Sequence, residues 1–202
     1  MDITVIGQGS VLATPDILRL HAGVEVRRTS AAEAFAAVRA AAARLAEALR
    51  REGVAPDDVT TVELSLGPEY ANYPEVAAYR AVQGVEVVVR DLSRADHVID
   101  TVAGVGEEAR LNGVAFERSD PAGALAEARV RAFRDAAAKA AQYAELAGRP
   151  LGRVTEVSED LSAGPPRPMA RMAASFAADS EASISPGRQS LTVTVRLGYD
   201  FA

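Results

Sequence analysis

Residues Asp120 to Gly148 read DPAGALAEARVRAFRDAAAKAAQYAELAG, and the reading of this stretch decides the fold. Asp120 suits a helix N-cap, and Pro121 suits the first helical position, where the missing N–H would have no partner anyway. Gly148 and Pro150 supply the stop. Between them Leu125, Ala128, Ala132, Phe133, Ala136, Ala140, Tyr143 and Ala147 recur at three- and four-residue steps. Glu127, Arg131, Arg134, Asp135 and Lys139 fall largely off that stripe. The spacing predicts an amphipathic helix about 40 Å long, at a rise of roughly 1.5 Å per residue. Because the stripe is mostly alanine, whatever it covers must come close to the helix backbone, as a β-sheet can.

Upstream, strands alternate with two shorter helices. Leu18, Leu20, Ala22, Val24 and Val26 alternate with Arg19, His21, Glu25 and Arg27, the pattern of a half-buried strand. Ser30 and Glu33 form a capping box ahead of a helix striped by Phe35, Val38, Ala42, Leu45 and Leu49, which ends at Gly53. After the Pro56-Asp57-Asp58 turn, Thr60, Val62, Leu64 and Leu66 alternate with Thr61, Glu63 and Ser65. Gly67 to Ala77, with two prolines, Tyr70, Asn72 and Tyr73, reads as a long hairpin connection. Its partner strand runs from Ala78 to Arg90; Gln83 interrupts the apolar face and Gly84 suggests a bulge. A short helix then turns Leu92, Ala95, Ile99 and Val102 inward, and a strand bearing Val114 and Phe116 ends at Ser119. From Leu18 to Ser119 the order is β-α-β-β-α-β, the ferredoxin-like order.

Downstream of the long helix come a strand near Arg153 to Ser158 and a last one from Leu191 to Phe201, expected to extend the same sheet or to pair with Ile3 to Ile6. Gly7-Gln8-Gly9 follows that first strand without a helix behind it, so a dinucleotide loop fails on context and a glycine turn or bulge is expected. Residues Glu159 to Gln189, rich in Ala, Ser and Pro with little periodicity, read as a mobile excursion. The expectation is an α+β fold in a single domain over residues 1–202. Its ferredoxin-like core is joined by the long helix and C-terminal strands, with a mixed sheet covered by helices.

Several of these pieces, in order, resemble the SIMPL-domain family, which includes periplasmic immunogenic proteins of Gram-negative pathogens. They are Ile3-Thr4-Val5-Ile6-Gly7-Gln8-Gly9 followed by Pro15-Asp16, and Tyr79-Arg80-Ala81 leading into Val87-Val88-Val89-Arg90-Asp91-Leu92. Next come Leu111-Asn112-Gly113-Val114-Ala115-Phe116 and Asp120 with the alanine-rich helix. Leu151-Gly152-Arg153-Val154 and Pro165-Pro166-Arg167-Pro168-Met169 complete the set. The resemblance implies an α+β fold and a tendency to form oligomers, with no agreed catalytic residues to carry over. Many members of the family carry an export signal, and none is evident here.

A net charge of -6 and a pI near 5.1 argue against a nucleic-acid binder, which needs a basic face. The absence of cysteine excludes disulfides, thiolate metal sites and a cysteine nucleophile. No apolar run reaches the roughly 18 residues that span a bilayer, and nothing near Met1 reads as a signal peptide. Membrane contact is therefore not expected. The location is cytoplasmic as written, or periplasmic or secreted if an export signal has been removed.

His21 and His97 lack a clustered carboxylate partner, and the pairs Asp57-Asp58, Glu107-Glu108 and Glu159-Asp160 read as solvated turns. No Gly-x-Ser-x-Gly elbow occurs. No catalytic, cofactor-binding or metal residue is assigned. Met169, Met172 and Phe176, with Arg167 and Arg171 nearby, sit at three- and four-residue steps that could present an adaptable apolar face to a partner. Tyr70, Tyr73 and Tyr79 could line a pocket. The leading expectation is a non-enzymatic homo-oligomeric interaction protein, assembling through strand edges and the loop from Pro165 to Pro186, with itself or a protein partner. The alternative is a small-ligand-binding protein or enzyme with a pocket beside residues 70–79.

Overall fold

A computed structural model describes residues 2–159 and 184–202. In chain order the elements are β1 (Asp2–Ala13), β2 (Ile17–Arg28), α1 (Ala31–Arg51), β3 (Val59–Asn72) and β4 (Glu75–Val89). They continue with α2 (Ala95–Ala103), β5 (Ala109–Glu117), α3 (Ala122–Leu146), β6 (Leu151–Glu159) and β7 (Gln189–Phe201). Most of the expected excursion, with Arg167, Met169, Arg171, Met172 and Phe176, lies outside the described residues.

The described residues divide into two compact units. One comprises residues 2–15, 118–159 and 186–202, and the other residues 16–117 with 184–185. Each carries its own antiparallel sheet, so the single mixed sheet expected from sequence is replaced by two. Among the described residues no parallel ladder forms, because β2 and β3 are separated by β4, and β4 and β5 by β2. The last strand takes the other expected course and pairs with the first along its whole length, Asp2 opposite Asp200 through Ala13 opposite Gln189.

In the first unit the strand order is β1-β7-β6, and α3 lies across β1 and β7. The N-cap is Pro121 rather than Asp120, one residue later than expected and without a side-chain cap; Asp120 accepts from the Ala122 N–H at 3.0 Å from just ahead of it, and Gly148 turns the chain out of the helix at φ 64°. The buried stripe is Ala128, Ala132, Ala136, Ala140 and Ala144, at strict four-residue steps. Phe133 and Tyr143, expected on that stripe, are exposed. The stripe meets Val5, Val193, Val195, Leu197 and Tyr199.

Gly7 and Gly9 form neither turn nor bulge: both lie inside β1, directly under the helix. A Cβ added at Gly7 would lie 2.5 Å from the Ala136 nitrogen, and one at Gly9 2.7 Å from the Arg131 Cβ, with helix carbonyl oxygens closer still. Alanine above and glycine below thus bring helix backbone onto strand backbone, which removes the room for any larger side chain.

In the second unit the order is β3-β4-β2-β5, with α1 and α2 on one face. The Ser30 hydroxyl accepts from the Glu33 N–H at 3.3 Å, as the capping box requires. The core is made of larger side chains: Leu18, Leu20 and Val24 from β2, Val87 from β4, Val38, Leu45 and Leu49 from α1, and Val98 and Val102 from α2. The expected long hairpin connection shrinks to Tyr73-Pro74, because β3 runs on through Asn72 and β4 starts at Glu75.

A register shift between Thr61 and Glu63 makes Val62 the extra residue of a bulge opposite Gly84. Leu64, opposite Gln83, and Leu66, opposite Ala81, therefore share the helix-covered face with Val59 and Thr61. Val62 leaves the face to which strict alternation would assign it.

Candidate functional site

The two sheets present four outermost strands, β1 and β6 in one, β3 and β5 in the other. Along β1, side chains of α3 reach over the edge. The Gln8 N–H donates to Asp135 Oδ2 at 2.8 Å, Lys139 Nζ donates to the Ile6 carbonyl at 3.0 Å, and Arg131 Nη1 donates to the Ser10 carbonyl at 2.7 Å. Lys139 Nζ also sits 2.6 Å from Asp135 Oδ2. The ammonium of Lys139, then the Gln8 N–H, hold the Asp135 carboxyl below the usual aspartate range.

β3 differs. All seven residues from Thr60 to Leu66 are exposed, with Val62, Leu64 and Leu66 retaining 57%, 57% and 45% of their accessible surface. The register is regular from Glu63 to Glu69. Pro68 has no N–H to offer a pairing strand, which sets a limit at that end. β6 exposes Val154 and Val157 but its ladder shifts twice between Leu151 and Glu156, and β5 carries Gly113 at φ 154° opposite a shift in β2.

On the second unit's sheet, Glu25 gathers three guanidinium groups: Arg80 Nη2 at 2.9 Å, Arg110 Nε at 3.6 Å and Arg27 Nη2 at 3.7 Å. Its side chain is only 12% exposed, and the Arg80 hydrogen bond, ahead of the other charges, holds its carboxyl below the usual range. Glu25, Arg27 and Arg110 line a cleft of about 330 Å³ with Glu107, Glu108 and Arg28. A carboxylate that is ionised at neutral pH and saturated by arginines is a poor general base, so this knot fastens strands rather than moving protons. Further along the sheet, Arg19 joins Glu117 at 2.9 Å and also Glu86, while His21 Nδ1 stands 3.9 Å from Glu86.

A second cleft, of about 290 Å³, has Val54, Val89 and Val98 in its wall and two arginine–carboxylate pairs at its rim. Arg90 grips both oxygens of Asp58, and Arg94 meets Glu52 at 3.1 Å. Asp58 corrects a sequence expectation, since its side chain is 11% exposed rather than solvated. Glu108 likewise finds Arg44 at 3.3 Å, and Glu159 binds Arg129 through both oxygens. Each acid was read by its neighbours in sequence, whereas its partner comes from another element.

Tyr70 and Tyr73 come together at the tip of the β3–β4 hairpin, ring centroids 5.4 Å apart and tilted by 55°. Tyr79 packs on the second unit's core. Among the described residues no three His, Asp or Glu side chains gather where a metal ion could sit, and no helix is long and apolar enough to cross a membrane. What sequence reasoning missed is the row Arg131, Asp135, Lys139: its signal was a four-residue charge spacing beside the alanine stripe.

A family model described as SIMPL, protein of unknown function (DUF541), matches residues 3–199. The chain is 32% identical to the 26 kDa periplasmic immunogenic protein of Brucella melitensis, over 98% of this chain and 84% of that protein. It is 29% identical to the uncharacterized protein YggE of Edwardsiella ictaluri, over 93% of this chain and 80% of that protein. To YggE of Escherichia coli K12 it is 31% identical, over 84% and 70%.

Proposed function

This chain belongs to the SIMPL family, and we propose that within it the protein is a non-enzymatic, self-assembling interaction protein that pairs copies through the edge of β3. The observation that carries this reading is the run from Thr60 to Leu66, an outermost strand exposed on both faces and bearing three large apolar side chains. Such an edge offers backbone groups and apolar surface at once, and soluble proteins ordinarily blunt it or use it. Two copies meeting antiparallel across a two-fold axis at β3 would continue the sheet and cover Leu64 and Leu66 with their symmetry mates. The charged knots support a scaffold role, because their carboxylates are spent on arginines from other elements.

The element order β2-α1-β3-β4-α2-β5 and the strand order β3-β4-β2-β5 support reading the second unit as ferredoxin-like. The compartment proposed is the periplasm named for the Brucella relative. The test of assembly is mass in solution by size exclusion with light scattering. The wild type is expected to run as a closed multiple of 21.1 kDa, and Leu64→Lys, placing a charge on the pairing face, to run near 21.1 kDa. A wild type that stays at monomer mass at every concentration overturns the reading, as does an unchanged oligomer in the variant.

A further inference from the structure

The outer edge of β1 is occupied, although no strand among the described residues pairs with it. In an antiparallel ladder every second residue of an edge strand turns both its N–H and its C=O outward. Ile6, Gln8 and Ser10 are such residues, and α3 takes one group of each. Four residues of helix advance about 6 Å and two residues of strand about 6.7 Å, so Lys139, Asp135 and Arg131 step down the helix in register with Ile6, Gln8 and Ser10. That reach depends on Gly7 and Gly9, which let the helix sit against the strand.

We propose that Arg131, Asp135 and Lys139 form a guard that denies the edge of β1 to a strand of a second copy of this chain. An incoming strand would have to displace three charge-assisted hydrogen bonds and would meet the guanidinium, carboxylate and ammonium groups in its path. Ile6 and Leu12 are exposed on this strand, so an unguarded β1 would offer an edge with apolar side chains beside it. That assembly is thereby confined to β3 rests on the reading of the previous subsection; the exclusion at β1 does not.

The chain has no cysteine, so Gln8→Cys introduces a single thiol at the centre of the guarded edge. Two β1 strands meeting antiparallel about residue 8 would bring the thiols within disulfide reach. With the guard intact, Gln8→Cys is expected to stay uncrosslinked under mild oxidation. Combined with Arg131→Ala, Asp135→Ala and Lys139→Ala, it is expected to crosslink about tenfold more or better, as the loss of one charged hydrogen bond implies.

Should the full set unfold, as judged by circular dichroism, Lys139→Ala with Arg131→Ala keeps Asp135 on Gln8 and is expected to crosslink to an intermediate extent. Arg134→Ala, which makes no bond to the edge, is expected to change nothing. The proposal is overturned if Gln8→Cys crosslinks as readily with the guard as without it. It is equally overturned if folded guardless variants neither crosslink nor gain mass in light scattering. A monomeric wild type would remove assembly through β3 and leave this comparison standing.

Discussion

The two units cover their sheets in opposite ways. In one, α3 lies on β1 through alanine against glycine, and the helix comes close enough for a carboxylate on its flank to bond a strand N–H directly. In the other, α1 stands off on Val38, Leu45 and Leu49 over Leu18, Leu20 and Val87, and the outermost strand β3 lies bare from Thr60 to Leu66. The lesson is that side-chain size in the core sets what the surface can do. Small residues draw the helix down until its polar flank seals the neighbouring edge, whereas large ones bury more apolar surface and leave that edge open.

The largest effect that would break this comparison is a side chain between α3 and β1. Gly9→Val should destabilise the protein by about 3 kcal/mol or more and lower Tm by about 10 °C, because the helix backbone has nowhere to move. Gly67, with open space around its missing Cβ, is the control: Gly67→Ala should shift Tm by no more than about 2 °C. Thermal unfolding followed by circular dichroism decides between them, and equal shifts would contradict the close contact. In the second unit the sign reverses, since truncation rather than enlargement should hurt. Leu49→Ala, at a fully buried position, should cost about 3 kcal/mol in urea unfolding.

A smaller effect sharpens the role of the charged knot. Glu25→Gln should cost about 1–2 kcal/mol at pH 7 by leaving Arg80, Arg110 and Arg27 without their carboxylate. Glu25 is held below its unfolded value of about 4.3, so its contribution is fully present above that pH and is lost as pH falls through the lowered folded value. The stability difference between wild type and Glu25→Gln should therefore be flat from neutral pH down to about 5 and shrink below about 4. A difference that grows on acidification would contradict the assignment.

Much of this architecture was legible where the cause is local. The Ser30–Glu33 capping box, the alternation in β2 and β7, and the alanine stripe of α3 each depend on residues a few positions apart, so their spacing carries the information. Gly7 and Gly9 read in sequence as a turn or bulge, because the reason for them lies in Ala128 to Ala136, more than a hundred residues away. The bulge at Val62 depends on Gly84 across the ladder, and Asp58 finds Arg90, and Glu25 finds Arg80, far away in sequence. The guard was invisible for a further reason: without the strand order, nothing marks β1 as an edge. Met169, Met172 and Phe176 lie outside the described residues, so their proposed contact with a partner rests on spacing alone.

The most direct test of the contrast between a guarded and an open edge is hydrogen exchange read by mass spectrometry across a concentration series. Peptides from β3, covering residues 60–67, should gain protection as the protein assembles, while the β1 peptide covering residues 4–12 should exchange at one rate throughout. Protection that rises in β1, or that stays constant in β3 while the mass increases, would contradict the account.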